Sequence, residues 1–427
     1  MGDTDLILDR LTRLYPKAIE PGLERTLRIL RDLGDPHLKI PPVIHIAGTN
    51  GKGSTLAFIH AIAEDAGLKI HAMTSPHLVK FNERLVVASE EITDENLQSL
   101  LEEVEAINAD QPTTFFEITT AAGFYEFARR PANLTLLETG MGGRLDSTNV
   151  IENPLVTIIT NISHDHMQHL GNTLREIAIE KAGIMKPGVP CVIGPQTQNA
   201  LAENVMEIFE DRAEELGCPL YRHGHEWNFM PKENGFMVNF RLQAFHLPAP
   251  SLLGAHQIAN AATAIAALCA VPELDRLKQN FSAVSKAVWP ARLQRIESGP
   301  LFDLLSEGWA LYLDGGHNEA GGEILGRQAK NWQDKDLHLV LGMLTTKDPA
   351  PFYDHLRPFV KTTTAIPIPD EKLAFSADDL SQKLSIEKAL TPEDAIRKII
   401  ADNKPGRILI TGSLYLAGSI LKNQKLA

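Results

Sequence analysis

The sequence predicts an α/β protein with two sheet-containing domains, and three observations carry that expectation. Short apolar runs alternate with longer amphipathic stretches from Pro42 onward. The alternation restarts after Trp289-Pro290-Ala291-Arg292. A chain of 427 residues also has room for two or three domains, at about 150 residues each.

In the first series Val43–Ala47, Lys69–Met73, Leu134–Glu138, Val156–Asn161 and Pro190–Ile193 read as strands. Ser54–Asp65, Asp94–Ala109, Phe116–Arg129, Leu174–Met185 and Ala200–Leu216 read as helices by their apolar spacing. Such alternation implies βαβ units, and hence a mostly parallel sheet flanked by helices. Tyr221–Leu247, richer in Phe, Asn and Gly, reads as one or two antiparallel strands, and the Ala-rich His256–Val271 as a closely packed helix. The second series has strands at Ala310–Leu313, Leu337–Leu341, Thr362–Ile366 and Arg407–Ile410, with helices such as Gly321–Asn331 and Ser376–Leu384 between them. Thr391-Pro392-Glu393-Asp394 marks another helix start: a capping hydroxyl, Pro at the first position and acids in the first turn. A boundary near residues 293–299 follows, giving an N-terminal domain 1–295 and a smaller C-terminal α/β domain 296–427.

Composition excludes several classes. Hydrophobic residues at 44% and charged residues at 22% are ordinary globular values. No run approaches the roughly 20 apolar residues of a membrane helix, and Met1-Gly2-Asp3-Thr4-Asp5 is acidic where a secretory signal is basic. Cys191, Cys218 and Cys269 are an odd, widely spaced set, which argues for a reducing, cytoplasmic setting. A net charge of −13 without a basic stripe disfavours nucleic acid. Anionic small ligands stay open, because phosphate sites depend on local loops and helix N-termini.

Gly48-Thr49-Asn50-Gly51-Lys52-Gly53-Ser54-Thr55 follows a strand and opens a helix, the setting a phosphate loop requires. Glycines let backbone N–H groups turn inward as an anion nest, and the helix start adds positive potential. Lys52 is placed to reach β- and γ-phosphates. The spacing is tighter than the common Gly-x4-Gly-Lys-Ser/Thr form, with Gly53 intervening before the hydroxyl. Glu138 ends an apolar strand, the position of a carboxylate that holds Mg²⁺ together with nucleotide phosphates. His164-Asp165-His166-Met167-Gln168-His169 lacks the partner ligands of a zinc site. Taken alone, Ser75 reads as a Ser-Pro turn and Lys181 as a solvated helical lysine.

Further blocks follow the loop in order: Thr74-Ser75-Pro76-His77-Leu78, Asn82-Glu83-Arg84, Glu138-Thr139-Gly140-Met141-Gly142-Gly143-Arg144-Leu145-Asp146-Ser147-Thr148-Asn149, Asp165-His166, Glu180-Lys181-Ala182-Gly183-Ile184, Asn260-Ala261-Ala262-Thr263-Ala264 and Asp314-Gly315-Gly316-His317-Asn318. With them the chain closely resembles the folylpolyglutamate synthase and dihydrofolate synthase branch of the Mur ligase superfamily, over nearly its whole length. The resemblance implies a P-loop-type N-terminal sheet domain and a Rossmann-like C-terminal domain. It implies an ATP-dependent amide ligase that adds L-glutamate to dihydropteroate, and to the γ-carboxyl of reduced folates, through an acyl phosphate.

Residue by residue, the resemblance implies nucleotide contacts from Gly48, Thr49, Asn50, Gly51, Lys52, Gly53 and Ser54, and from Asn260, Arg292 and Asp314. Ser75 and Glu138 would hold one Mg²⁺, His166 would share a second with Glu138, and Lys181 would be carbamylated, an anionic oxygen ligand beside metal; K⁺ is a further expected cation. Lys52, Glu138, His166 and Lys181 form the catalytic set. Glu20, Pro21, Gly22, Thr114, Phe115, Phe116, Glu117, Leu145, Asp146 and Ser147 line the acceptor side, although Phe115 and Phe116 at a helix start read equally well as core. A monomer with no membrane partner is expected; closure of the C-terminal domain would bring Arg292 and Asp314 onto ATP.

Two positions depart from the family pattern: Ala291 stands where Gly commonly precedes Arg292, and Glu319 where Pro commonly follows Asn318. Alternatives are a folylpolyglutamate synthase alone, or a cell-wall Mur ligase, which Thr74-Ser75-Pro76-His77-Leu78 disfavours. A nucleotide switch would need a guanine-reading Asp that Asn403-Lys404-Pro405-Gly406 lacks.

Overall fold

A computed structural model describes residues 7–8, 10–12 and 22–424. The expected acceptor contacts Glu20 and Pro21 therefore lie outside the described residues. The chain divides into two compact units: one runs to Ser251 and takes in Ile258–Ala287, and the other comprises Leu252–Gln257 and the chain from Val288.

The sheet of the first unit contains β1 (Val43–Ala47), β2 (Ile70–Met73), β3 (Leu85–Val87), β4 (Glu90–Glu91), β5 (Leu134–Glu138), β6 (Val156–Ile159), β7 (Cys191–Ile193) and β8 (Leu220–Arg222). Its order is β4-β3-β2-β5-β1-β6-β7-β8. Neighbours from β2 through β8 are parallel, and the edge pairs β2–β3 and β3–β4 are antiparallel. All five residues of β1 are buried, as parallel strands covered on both faces require. From β1 the chain crosses to β2, returns through β5 and then passes to β6 on the other side. Strand order thus switches at β1, and at such a switch a parallel α/β sheet forms its crevice beyond the carboxyl ends of the strands, here those of β1, β5 and β6.

One core cluster joins Ile29, Val43, Met73, Leu97, Val104, Phe124 and Leu137 beneath the helices Glu24–Asp32, Asp94–Asn108 and Phe115–Arg129. Another joins Ala47, Ile159, Ile177, Ile193 and Phe209 with the helices Leu174–Ala182 and Val205–Leu216. Thr93, Thr114 and Thr173 cap three of these helices by accepting from the N–H three residues on, each cap worth about 1 kcal/mol.

The structure corrects two expectations here. The helix expected over Ala200–Leu216 is two, Gln198–Ala202 and Val205–Leu216. Asn204 breaks it at φ 54, a left-handed conformation that Asn adopts more readily than most side chains. The segment expected to hold one or two antiparallel strands instead gives β8 to the parallel sheet and then a three-stranded sheet. Its strands β9 (Trp227–Lys232), β10 (Gly235–Phe240) and β11 (Gln243–Pro248) are ordered β11-β10-β9.

The second unit holds β12 (Gln294–Ile296), β13 (Ala310–Leu313), β14 (Leu337–Leu341), β15 (Thr362–Ala365), β16 (Glu387–Lys388) and β17 (Arg407–Thr411), ordered β12-β13-β17-β14-β15-β16. Only β12 runs antiparallel to its neighbour. Among the described residues no helix is long and apolar enough to cross a membrane.

Within this unit the helix Glu319–Asn331 lies almost against the backbone of Pro349–Leu356. A Cβ added at Gly322 would sit 2.4 Å from the Phe352 carbonyl oxygen, and one at Gly326 2.4 Å from that of His355. Alanine gains up to about 1 kcal/mol in helix propensity over glycine, but overpacking costs typically about 1–3 kcal/mol. The obstacle is backbone, which cannot swing aside, so the clash wins. Gly326→Ala is expected to lose about 1–2 kcal/mol in urea denaturation; a gain in stability would contradict the packing.

Candidate functional site

The crevice beyond β1 is shaped by how closely the Gly48–Lys52 loop is approached. Gly48 has φ 145 and Gly51 φ 91, conformations that L side chains adopt only with strain. A Cβ at Gly48 would lie 1.7 Å from Thr160 Oγ1, and one at Gly51 2.5 Å from Asn260 Oδ1. The residues after β6 then clasp the loop. Thr49 N donates to Asn161 O at 2.8 Å, Asn50 N to Asn161 Oδ1 at 3.1 Å, and Thr160 Oγ1 to Asn50 O at 2.8 Å. Thr49 Oγ1 donates to Ser163 O and accepts from Ser163 N, both at 3.1 Å. Gly51 brings no side chain to cap the helix Lys52–Asp65, the kind of helix start that an anion can cap instead.

Two ammonium groups meet on one carbonyl. Lys52 Nζ donates to Gly48 O at 3.2 Å and Thr49 O at 3.3 Å, and Lys181 Nζ donates to Gly48 O at 3.0 Å. Lys181 is only 4% exposed, where sequence alone suggested a solvated side chain. Burial, and then the neighbouring Lys52 charge, push it down to about 7, against the pull of Asp165, Asp146 and Glu180. Glu138, buried at the end of β5, lies 3.8 Å from Lys52 Nζ, and its Oε2 accepts from Ser75 N at 3.4 Å. The ends of β2, β5 and β1 thus bring Ser75, Glu138 and Lys52 together. His166 stands at an exposed left-handed position, φ 51, ahead of the helix Met167–Leu170 and beside Asp165.

Among the described residues no group of three or more His, Cys, Asp or Glu is placed to hold a metal ion. A carboxylate with a serine beside it suits Mg²⁺, which takes few protein ligands when phosphate oxygens and water complete its octahedron. It does not suit zinc, which needs three or four.

On the acceptor side Glu117 is already committed. Arg25 forks onto it, Nη2 to Oε1 at 2.7 Å and Nε to Oε2 at 3.0 Å, and Thr113 Oγ1 and Thr114 N donate to Oε2. Thr114 returns the bond by accepting from Glu117 N at 3.2 Å. Phe115 packs edge-on against Phe81 with centroids 5.8 Å apart, at the margin of the core. The Phe116 ring instead covers Gly140, where an added Cβ would meet its Cζ at 2.4 Å. Asp146 is buried. Its Oδ2 accepts from Gly140 N and Met141 N, both at 2.9 Å, and burial raises its pKa. Ser147 Oγ accepts from Thr26 Oγ1 at 3.1 Å, while Gly22 and Leu145 are half-buried.

In the second unit Asp314 is buried and accepts from Leu293 N at 2.8 Å and Gly316 N at 2.7 Å. Burial raises its pKa, opposed by Arg292. Ala291 has φ 56, which explains why glycine suits that position. Asn318 caps the helix Glu319–Asn331 by accepting from Gly321 N at 2.9 Å. Glu319 therefore occupies the first helical position, where an acid favours the helix dipole and proline is equally tolerated. Sequence reasoning missed Thr160, Asn161, Ser163 and Thr26. The first three carried one signal, their place at the end of a strand expected in the same sheet as the phosphate loop.

The family model of the Mur ligase middle domain matches residues 46–268. A dihydrofolate synthase/folylpolyglutamate synthase of Bacillus subtilis is 35% identical over 440 residues, covering 96% of each chain. Two solved structures are similar throughout. Escherichia coli FolC, in complex with DHPP and ADP, has a TM-score of 0.86 at 29% identity, covering 99% of this chain and 97% of that one. A bifunctional folylpolyglutamate synthase/dihydrofolate synthase of Yersinia pestis, complexed with AMPPNP and Mn ion, has a TM-score of 0.86 at 30% identity, covering 99% and 98%.

The loop geometry sets an order of stabilities. Thr160→Val loses one hydrogen bond, about 1 kcal/mol. Gly48→Ala meets both an unfavourable φ and the Thr160 side chain, and is expected to cost about 2–4 kcal/mol. Thermal denaturation of both variants checks this, and a Gly48→Ala milder than Thr160→Val would contradict the close approach.

Proposed function

The chain belongs to the dihydrofolate synthase/folylpolyglutamate synthase family of Mur ligases, and on that premise we propose that it joins L-glutamate to dihydropteroate and to the γ-carboxyl of reduced folates with hydrolysis of ATP. The observation that supports this most directly is the meeting of Lys52, Glu138 and Ser75 beside a glycine loop whose helix start has no side-chain cap.

A carboxylate is a poor acylating group. ATP, bound with Mg²⁺, supplies the phosphoryl group that turns the acceptor carboxylate into an acyl phosphate open to the glutamate amine. The N–H groups of Gly51, Lys52, Gly53 and Ser54 at the helix start cradle the phosphates, while those of Thr49 and Asn50 stay on Asn161. Lys52, now resting on the carbonyls of its own loop, turns to the β- and γ-phosphates and offsets charge that grows on them. Glu138 and Ser75 hold Mg²⁺, and His166 serves a second divalent ion. Asn260, whose amide lies against Gly51, contacts the nucleotide. Phe116 offers a ring face to a flat heterocycle, with Leu145 and Asp146 on the same acceptor side. K⁺ adds a further charge to the anionic substrates.

Lys181 is proposed to carry a carbamate. Held near 7, an appreciable fraction of it is neutral amine at neutral pH, the form that adds CO₂. The adduct exchanges an awkward buried cation beside Lys52 for an anionic oxygen donor. As pH falls below about 7 the ammonium form prevails, so activity should decline and added bicarbonate should restore it. The folded state of the unmodified lysine should also gain stability as pH rises from about 7 to 10.5, because over that window the unfolded chain binds more protons. ¹³C-bicarbonate should give a carbamate resonance that Lys181→Ala removes; its absence from the parent protein with Mg²⁺ and nucleotide would contradict the modification.

Lys52→Ala and Glu138→Ala should each lower kcat roughly a hundredfold or more while leaving the melting temperature nearly unchanged. Glutamate-dependent ADP release with dihydropteroate, and separately with a tetrahydrofolate, is the test of function. Release with both supports the bifunctional reading, release with the folate alone reduces the chain to a folylpolyglutamate synthase, and release with neither overturns it.

A further inference from the structure

Beneath the acceptor-side loop runs a buried chain of hydrogen bonds that begins on the central strand. His45 on β1 is fully buried, paired in register with Leu137 of β5 and Thr157 of β6. Its Nε2 lies 2.8 Å from Thr148 Oγ1. Thr148 Oγ1 donates to Asp146 Oδ1 at 2.6 Å, and Thr148 N donates to the same oxygen at 3.0 Å. Asp146 Oδ2 accepts the two amides of Gly140 and Met141, and Gly140 is the residue that the Phe116 ring covers.

The proton count gives this chain a direction. Four donors converge on the Asp146 carboxyl, so it acts as an ionised acceptor. The single hydroxyl proton of Thr148 is given to it, and the hydroxyl can then only accept from the imidazole. His45 is therefore neutral with its proton on Nε2, and burial holds its pKa down to about 3. The other ring nitrogen, Nδ1, is buried with no hydrogen-bond partner among the described residues, which leaves its loss of water uncompensated. An aliphatic residue at this fully buried strand position would avoid that cost. Buried polar side chains that break the local rule in this way tend to serve a site.

We propose that His45 is a positioning residue for the acceptor: through Thr148 it fixes the orientation of Asp146, and through Asp146 the Gly140–Met141 turn on which Phe116 rests. This rests on the acceptor-side reading of Phe116 and Asp146 given above. The effect is selective. The phosphate loop is held by Thr160, Asn161 and Ser163, none of which belongs to this chain of bonds.

The test uses the full chain with Mg-ATP, L-glutamate and dihydropteroate, following ADP release. His45→Leu should raise KM for dihydropteroate roughly tenfold and leave KM for ATP within about twofold. His45→Gln, whose terminal amide can donate in place of Nε2–H, should recover most of the loss. Thr148→Val should match His45→Leu, and the double variant should be no worse than either, the signature of one shared interaction. ¹⁵N-histidine NMR should show the Nε2–H tautomer at His45 in the parent; an Nδ1–H tautomer overturns the proposal. If the parent chain releases no ADP with either acceptor, the functional reading has failed, and the tautomer still decides the chain of bonds. If the parent is active and a folded His45→Leu keeps the parental KM, the positioning role is wrong. Should His45→Leu fail to fold, Thr148→Val decides in its place.

Discussion

The tightest constraint in the first unit is the close approach of chain to chain at Gly48 and Gly51. A turn that leaves a fully buried parallel strand and enters a helix within four residues must pass beneath Thr160 and against Asn260. Only glycine provides the space and the positive φ at both points. Once the turn is made, the amides of Thr49 and Asn50 bond Asn161, the carbonyls of Gly48 and Thr49 receive the two lysines, and the residues after β6 lock it there. The positions of Lys52, Lys181 and Glu138 follow from that turn, because two of them bond its carbonyls and the third ends the neighbouring strand.

That arrangement is electrostatically unfinished. Two lysines share the Gly48 carbonyl, one of them buried enough to lose most of its preference for the charged state. Positive charge concentrated in a partly water-excluded cleft is attracted to an anion far more strongly than it would be at an open surface. The chain as a whole carries −13, so the attraction is local. Phosphate binding, metal binding and the carbamate proposed for Lys181 would each answer the same imbalance, by bringing negative oxygen, or the cation that accompanies it, to a place that already holds the complementary charge.

The strands that position the site were legible because β1 and β5 are short apolar runs bounded by turns, the pattern of a strand buried on both faces. The phosphate loop was legible because its glycines and lysine are contiguous. Other features were hidden for identifiable reasons. Strands of two or three residues, such as Glu90–Glu91 and Leu85–Val87, are too short to show a period. The Asn204 break lies within continuous helical patterning. Arg25 with Glu117, and Lys181 with Gly48, are contacts between residues about 90 to 130 positions apart, and no local pattern marks their burial. Glu117 and Asp146 were expected to line a ligand site, and in the structure both accept hydrogen bonds from neighbouring backbone. A sequence block can show that residues share a site without showing which of them bear on the ligand and which hold the loop that does.

The central claim is that this cleft activates a carboxylate by transferring the terminal phosphoryl group of ATP to it. It is tested most directly by following oxygen. Dihydropteroate labelled with ¹⁸O in its carboxylate, turned over with ATP and L-glutamate, should deliver one ¹⁸O atom into inorganic phosphate for each amide formed, because the acyl–oxygen bond breaks when the amine attacks. Amide formation accompanied by unlabelled phosphate would contradict the account.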